Sequence, residues 1–233
     1  MNRLAILLIA LAAVWACNDA PGRPGADSAV IPPNRVRDFD VLYASNCAGC
    51  HGENGAGGLA SSLADPLYLA IADDATIRRV TAEGVPGTAM PAFAQSAGGL
   101  LTAEQVDVVV KGIRARSAKP TTLRDVALPS HAAQAPGDAK RGANAYAVFC
   151  ASCHGPAGRG GPRAGSIVDR AYLTMVSDQS LRTTVIAGRP DMGAPDWRSN
   201  VPGQPMSPED ISDVVAWLAA QRPAPMLAAG GIK

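Results

Sequence analysis

Two copies of one pattern, Cys47-Ala-Gly-Cys50-His51 and Cys150-Ala-Ser-Cys153-His154, take four of the five cysteines and two of the three histidines in this 233-residue chain. They stand about 103 residues apart, and their surroundings repeat with them. Gly52, Gly55, Gly57 and Gly58 follow the first histidine, and Gly155, Gly158, Gly160 and Gly161 follow the second at the same offsets. Tyr43 and Tyr146 precede their motifs by one interval. Tyr68-Leu69 matches Tyr172-Leu173, Gly84-Val85-Pro86 matches Gly188-Arg189-Pro190, and Pro91-Ala92-Phe93 matches Pro195-Asp196-Trp197. Leu101-Thr102-Ala103-Glu104 pairs with Met206-Ser207-Pro208-Glu209, each a helix start with a hydroxyl N-cap and an apolar residue before it. Val106, Val109, Val110, Ile113 and Ile211, Val214, Val215, Leu218 then keep the 3–4 spacing of a buried helix face. A chain built this way folds as two copies of one helical unit.

The motif says what chemistry the unit carries. C-x-x-C-H is the signature of c-type haem attachment. Residues i and i+3 share a helix face, so both thiols can reach the two vinyls of one porphyrin while the next residue, histidine, reaches the iron. The chain's own residue frequencies predict roughly 0.001 occurrence of the pattern by chance. A zinc site would want more ligands than two cysteines and a scarce histidine. A thioredoxin-type redox pair requires neither the histidine nor the glycines. Glycine at those offsets permits φ > 0 and close backbone approach to a bulky planar group. Composition agrees: aromatics are only 4% of the chain, with 24 Gly and 19 Pro, so a large flat group from outside the sequence is expected to fill the cores. The 21 basic and 20 acidic residues argue against nucleic-acid binding by phosphate neutralisation.

The fifth cysteine belongs to an export segment. Met1-Asn2-Arg3 and the apolar run Leu4 to Trp15 read as a signal peptide over residues 1–16, about 18 Å of helix and too short for a hydrocarbon core of about 30 Å. Val14-Trp15-Ala16-Cys17 resembles a lipobox, which makes Cys17 a lipid anchor; the alternative is an ordinary secretory peptide that leaves Cys17 an idle thiol. Residues 17–34, rich in Pro and Gly, read as a flexible tether.

With these motifs in hand, the chain resembles the tandem di-haem cytochromes c, two class I modules in one exported protein. The resemblance spans residues 35–224. It implies an all-α fold of two cytochrome c domains, 35–117 and 138–224, each a few helices wrapped around one covalently bound haem c. Residues 118–137 form the linker and 225–233 a tail, and the linker is long enough to allow several dockings. In the family the first and last helices of a module cross. Here Phe39 and Gly112 occupy the crossing positions of module one, and Gly142 and Trp217 those of module two: one large and one glycine partner each, exchanged between helices.

The resemblance also supplies the axial ligands. His51 and Met90, in Gly87-Thr88-Ala89-Met90-Pro91, match the family's proximal histidine and methionine loop. In module two His154 is the proximal ligand, but Ala194 stands at the place of Met90. Either the loop shifts so that Met192 reaches the iron, or Met192 is a packing residue and the iron is five-coordinate or otherwise ligated. Met175 and Met206 read as core, and His131 as a solvated linker residue. The second ring N–H of each proximal histidine is expected to donate to a carbonyl near Leu59 and Pro162. Arg189 and Arg198 flank the second loop and pair with haem propionates or lie in solvent.

These features imply an electron carrier, not an enzyme: a lipid-anchored protein on the periplasmic face of a bacterial membrane. It would carry single electrons between a quinol-oxidising complex and a terminal oxidase or soluble cytochrome. Ala194 favours the alternative, a haem enzyme (peroxidase or small-molecule reductase) or gas sensor using an open second haem.

Overall fold

The computed structural model describes residues 30–116, 123 and 126–223. Cys17 with the signal segment, most of the tether, much of the linker and the tail over 225–233 lie outside the described residues. Residues 1–36 form a unit of their own, described only by a single 3₁₀ turn at Pro33–Arg35. The rest is all-α: among the described residues there are no strands, only two isolated bridges. No helix among them is long and apolar enough to cross a membrane.

The first module runs α1 (Phe39–Asn46), α2 (Ala48–His51), α3 (Pro66–Ile71), α4 (Asp74–Glu83) and α5 (Ala103–Arg116). The second repeats it as α6 (Ala139–Phe149), α7 (Ala151–His154), α8 (Arg170–Met175), α9 (Asp178–Ala187) and α10 (Pro208–Ala220). The starts are written in the sequence. Asp38, Asp65, Asp73, Asp138, Asp169, Ser177 and Ser207 each accept a backbone N–H of the first turn that would otherwise lack a partner. Ser207 and Asp210 form a reciprocal capping box, and Thr102 with Gln105 does the same for α5. The apolar residues before these caps, Leu101 and Met206, are buried.

The two predicted stripes face inward. Val106, Val109, Val110 and Ile113 of α5 are buried, as are Ile211, Val214, Val215 and Leu218 of α10. Each such side chain contributes about 1.5–3 kcal/mol of apolar burial. The helix crossings use the predicted exchange. A Cβ on Gly112 would fall within the ring of Phe39, and one on Gly142 would overlap the Asp213 carbonyl and approach Trp217 Cβ at 2.8 Å. Trp217 stacks on Tyr146, centroids 4.2 Å apart.

Arginine side chains close both modules in parallel. Arg114, in the last turn of α5, binds Asp74 and the carbonyls of Leu69 and Ala72. Arg222, just past α10, binds the equivalent Asp178 and the carbonyls of Leu173 and Val176. Arg78 pairs with Asp107, but their counterparts are Arg182 and Ser212. With the carboxylate replaced by a hydroxyl, the buried Arg182 turns to the linker and donates to the carbonyls of Ser130 and His131. His131 is therefore no solvated residue: it is half-buried, its carbonyl also accepting from Gln179. The linker packs Leu123, Val126 and Leu128 on the second core, and Leu67 of α3 joins that same core from module one.

Candidate functional site

Each C-x-x-C-H motif straddles a break between two helices. Cys47 ends α1 and caps α2, with its N–H on the Tyr43 carbonyl at 2.8 Å and its own carbonyl accepting from His51 N at 3.0 Å. Cys150 does the same between α6 and α7, with bonds of 2.9 and 3.0 Å. The two thiols of a motif thus sit on one short turn, and all four are free of disulfides. Burial pushes the Cys47 thiol up to about 11 and Cys150 up to about 12, so both are neutral S–H groups. Among the described residues no three His, Cys, Asp or Glu side chains gather to hold a metal ion.

The histidines are oriented alike. His51 Nδ1 donates to the carbonyl of Ser61 and His154 Nδ1 to that of Gly165, both at 2.8 Å. That bond fixes the tautomer and leaves Nε2 as the basic nitrogen. The acceptors lie two and three residues beyond the expected Leu59 and Pro162. The intervening loop spends its first glycines on a tight ring, with Gly57 N on the His51 carbonyl and Gly160 N on that of His154. Burial, followed by the nearby Arg189, lowers the His51 pKa against the opposing Ser61 bond, which keeps the ring neutral.

A tyrosine locks each ring. Tyr43 donates from its hydroxyl to the Gly52 carbonyl at 2.9 Å, and Tyr146 to that of Gly155. Gly52 must be glycine: its φ is +80° and a Cβ would strike the Gly57 carbonyl. The result, in each module, is an imidazole oriented by a backbone carbonyl, two reduced thiols on one turn and a side-chain-free loop beside them. This donor set fits a covalently attached haem.

The loops that carry Met90 and Ala194 differ between the modules. In module one Val85 N binds the Met90 carbonyl at 3.0 Å, Met90 N reaches Thr88 Oγ1, and the Met90 side chain is half-buried. In module two Arg189 N binds the Ala194 carbonyl at 3.0 Å, so Ala194 occupies the place of Met90 in space as well as in sequence. Met192 ends a 3₁₀ turn, Pro190–Met192, and is 73% exposed. Met206 is buried as expected, whereas Met175, the last residue of α8, is 53% exposed.

The flanking arginines are paired within their own loop. Arg189 grips Asp191 and Arg198 grips Asp196. Arg189 also donates to the Gly58 carbonyl of module one at 2.7 Å, and Asp191 fits over Gly57, where a Cβ would meet its Oδ2 at 2.6 Å. This docking of the second loop on the first histidine's ring had no local signal, since neither partner's sequence records the other.

The family described as cytochrome C oxidase, cbb3-type, subunit III matches the chain twice, over residues 34–113 and 137–218. A cbb3-type cytochrome c oxidase subunit CcoP from Azospirillum sp. (strain B510) is 31% identical over 134 residues, covering 53% of this chain and 40% of that protein. The subunit FixP from Azorhizobium caulinodans is 28% identical over 184 residues, 76% of this chain and 57% of that one. The chain thus spans about half the length of the curated relatives it matches. A chain of the Kuenenia stuttgartiensis reducing HAO-like protein complex superposes with a TM-score of 0.42 at 19% identity, covering 83% of this chain and 100% of that one.

Proposed function

Because the chain belongs to the cytochrome c oxidase, cbb3-type, subunit III family, with two tandem cytochrome c modules, we propose that it is a di-haem electron carrier delivering single electrons to a terminal oxidase. Cys47 and Cys50 would hold one haem c by thioethers, and Cys150 and Cys153 the other; His51 with Met90, and His154, would ligate the irons. Haem held there would supply reversible one-electron chemistry at its iron. The chain's residues make that exchange fast by staying still. The Ser61 and Gly165 carbonyls hold each imidazole, and Tyr43 and Tyr146 hold each loop, so little rearranges when charge changes. As a ligand, the neutral thioether of Met90 would raise the first potential.

The observation that carries this reading is the duplicated set of carbonyl-oriented imidazole, paired thiols and glycine ring. Export, a lipid at Cys17, placement on the periplasmic face and a quinol-oxidising donor or a soluble cytochrome as alternative partner extend it from the sequence. The test is the full chain matured in a host that attaches haem c. Two haems per chain, two one-electron waves in a potentiometric titration, and re-oxidation of the reduced protein by a purified haem–copper oxidase are expected. Fewer than two haems, or no electron transfer to the oxidase, would overturn it.

A further inference from the structure

The alanine in the second ligand loop is pinned from both sides. Upstream, Gly188 (φ +73°) has the Ala194 carbonyl 2.7 Å from where its Cβ would be, as Gly84 (φ +70°) has the Met90 carbonyl at the same 2.7 Å. Ala194 and Arg189 exchange both backbone bonds, at 3.0 and 2.9 Å. Downstream, Met206 N binds the Trp197 carbonyl at 2.9 Å, where module one has Leu101 N on Phe93 at 2.7 Å. The two loops therefore run in one register, and no residue has slipped to carry a methionine into the place of Met90.

Met192 is held away from that place. Its N–H closes the 3₁₀ turn on Arg189 at 2.8 Å, and the side chain is 73% exposed. The turn is fastened from outside the module, by Arg189 on the Gly58 carbonyl at 2.7 Å and Asp191 over Gly57. Bringing Met192 two residues further along would break the Arg189–Ala194 pair and lift Arg189 and Asp191 off module one. Two other candidate donors are committed: Met206 is in the core with Asn200 Nδ2 3.8 Å from its sulfur, and His131 lies beside Gln179 with its carbonyl gripped by Arg182.

We infer that the second module is a small-ligand site: Ala194 leaves its haem iron without a methionine, and the iron takes a neutral diatomic ligand when ferrous. The inference rests on module two holding a haem. Haem content is therefore measured first, and a chain with fewer than two haems fails that earlier reading, not this one.

The probe is carbon monoxide, titrated into the dithionite-reduced full chain and followed by its visible spectrum. One equivalent per two haems is expected for the wild type. Met192→Ala is expected to leave that uptake unchanged, Ala194→Met to abolish it, and Met90→Ala to raise it to two. No uptake by the wild type overturns the inference, because a protein side chain then fills the site. So does uptake that appears only in Met192→Ala, or uptake that survives Ala194→Met.

Discussion

Arg189, in the ligand loop of the second module, donates to the backbone carbonyl of Gly58, in the histidine loop of the first, at 2.7 Å. The contact exists because Gly57 has no side chain: Asp191, the partner of Arg189, occupies the space a Cβ would need. Arg189→Ala is therefore expected to loosen the modules, costing about 1–3 kcal/mol. Gly57→Val, which displaces Asp191 and strains a backbone at φ +106°, should do the same. Small-angle scattering and urea unfolding of the full chain check both, and a compact, equally stable variant would count against the docking.

Tyr43→Phe removes one hydroxyl and nothing else. The Gly52 carbonyl then loses its donor, and the expected cost is about 1 kcal/mol, read as a fall of several degrees in Tm. Tyr146→Phe should match it within error, since the same bond recurs in the second module.

The two crossing glycines differ in what they touch. A methyl group on Gly112 meets an aromatic ring, which can tilt; one on Gly142 meets the backbone carbonyl of Asp213, which cannot. Gly142→Ala is expected to cost more than Gly112→Ala, beyond about 3 kcal/mol against 1–3. Trimming Phe39 to Leu should restore part of the Gly112→Ala loss, and a double-mutant cycle by denaturant unfolding measures that coupling.

Arg182 is a buried cation with no carboxylate partner among the described residues; burial lowers its pKa, and the Ser130 and His131 carbonyls and Ser212 satisfy it. Arg182→Met would leave the linker carbonyls unpaired. Faster proteolytic nicking near residue 130, with haem content unchanged, is the expected result.

Acid should unfold the second module through Asp213. Burial pushes this carboxyl up, but the Arg141 guanidinium and the Asp138 amide outweigh it and hold its pKa below the ordinary carboxylate value. A group depressed in the folded state stabilises it fully above the unfolded value, about pH 4, and that stabilisation disappears as pH falls through the folded value. Urea midpoints between pH 6 and pH 2 should therefore drop more steeply in the wild type than in Asp213→Asn.

How much of this could be read from the sequence depended on whether a contact leaves a local trace. The all-α units, their caps and the stripes of α5 and α10 follow periodicity and residue type, and all are present. The Phe39–Gly112 and Gly142–Trp217 crossings were legible because duplication exposes a swap that one module alone would hide. The histidine acceptors at Ser61 and Gly165 fell beyond the expected Leu59 and Pro162, because the glycine ring takes up two or three residues before the chain returns. The hold of Arg182 on the linker had a trace that passed unread: Ser212 where the repeat has Asp107. The seating of Arg189 on Gly58 had none, for it joins residues whose local sequences say nothing of each other.

Two near-copies of one fold on a single strand face a sorting problem as they form, because each closing helix meets two similar opening helices. The opposed placement of bulk settles it. If α1 met α10, Phe39 would confront Trp217; if α6 met α5, Gly142 would face Gly112 across a void. An exchange of partners is therefore penalised at both crossings, by crowding at one and by emptiness at the other. The exchange of large for small therefore works as an address, steering each closing helix home to its own half of the molecule.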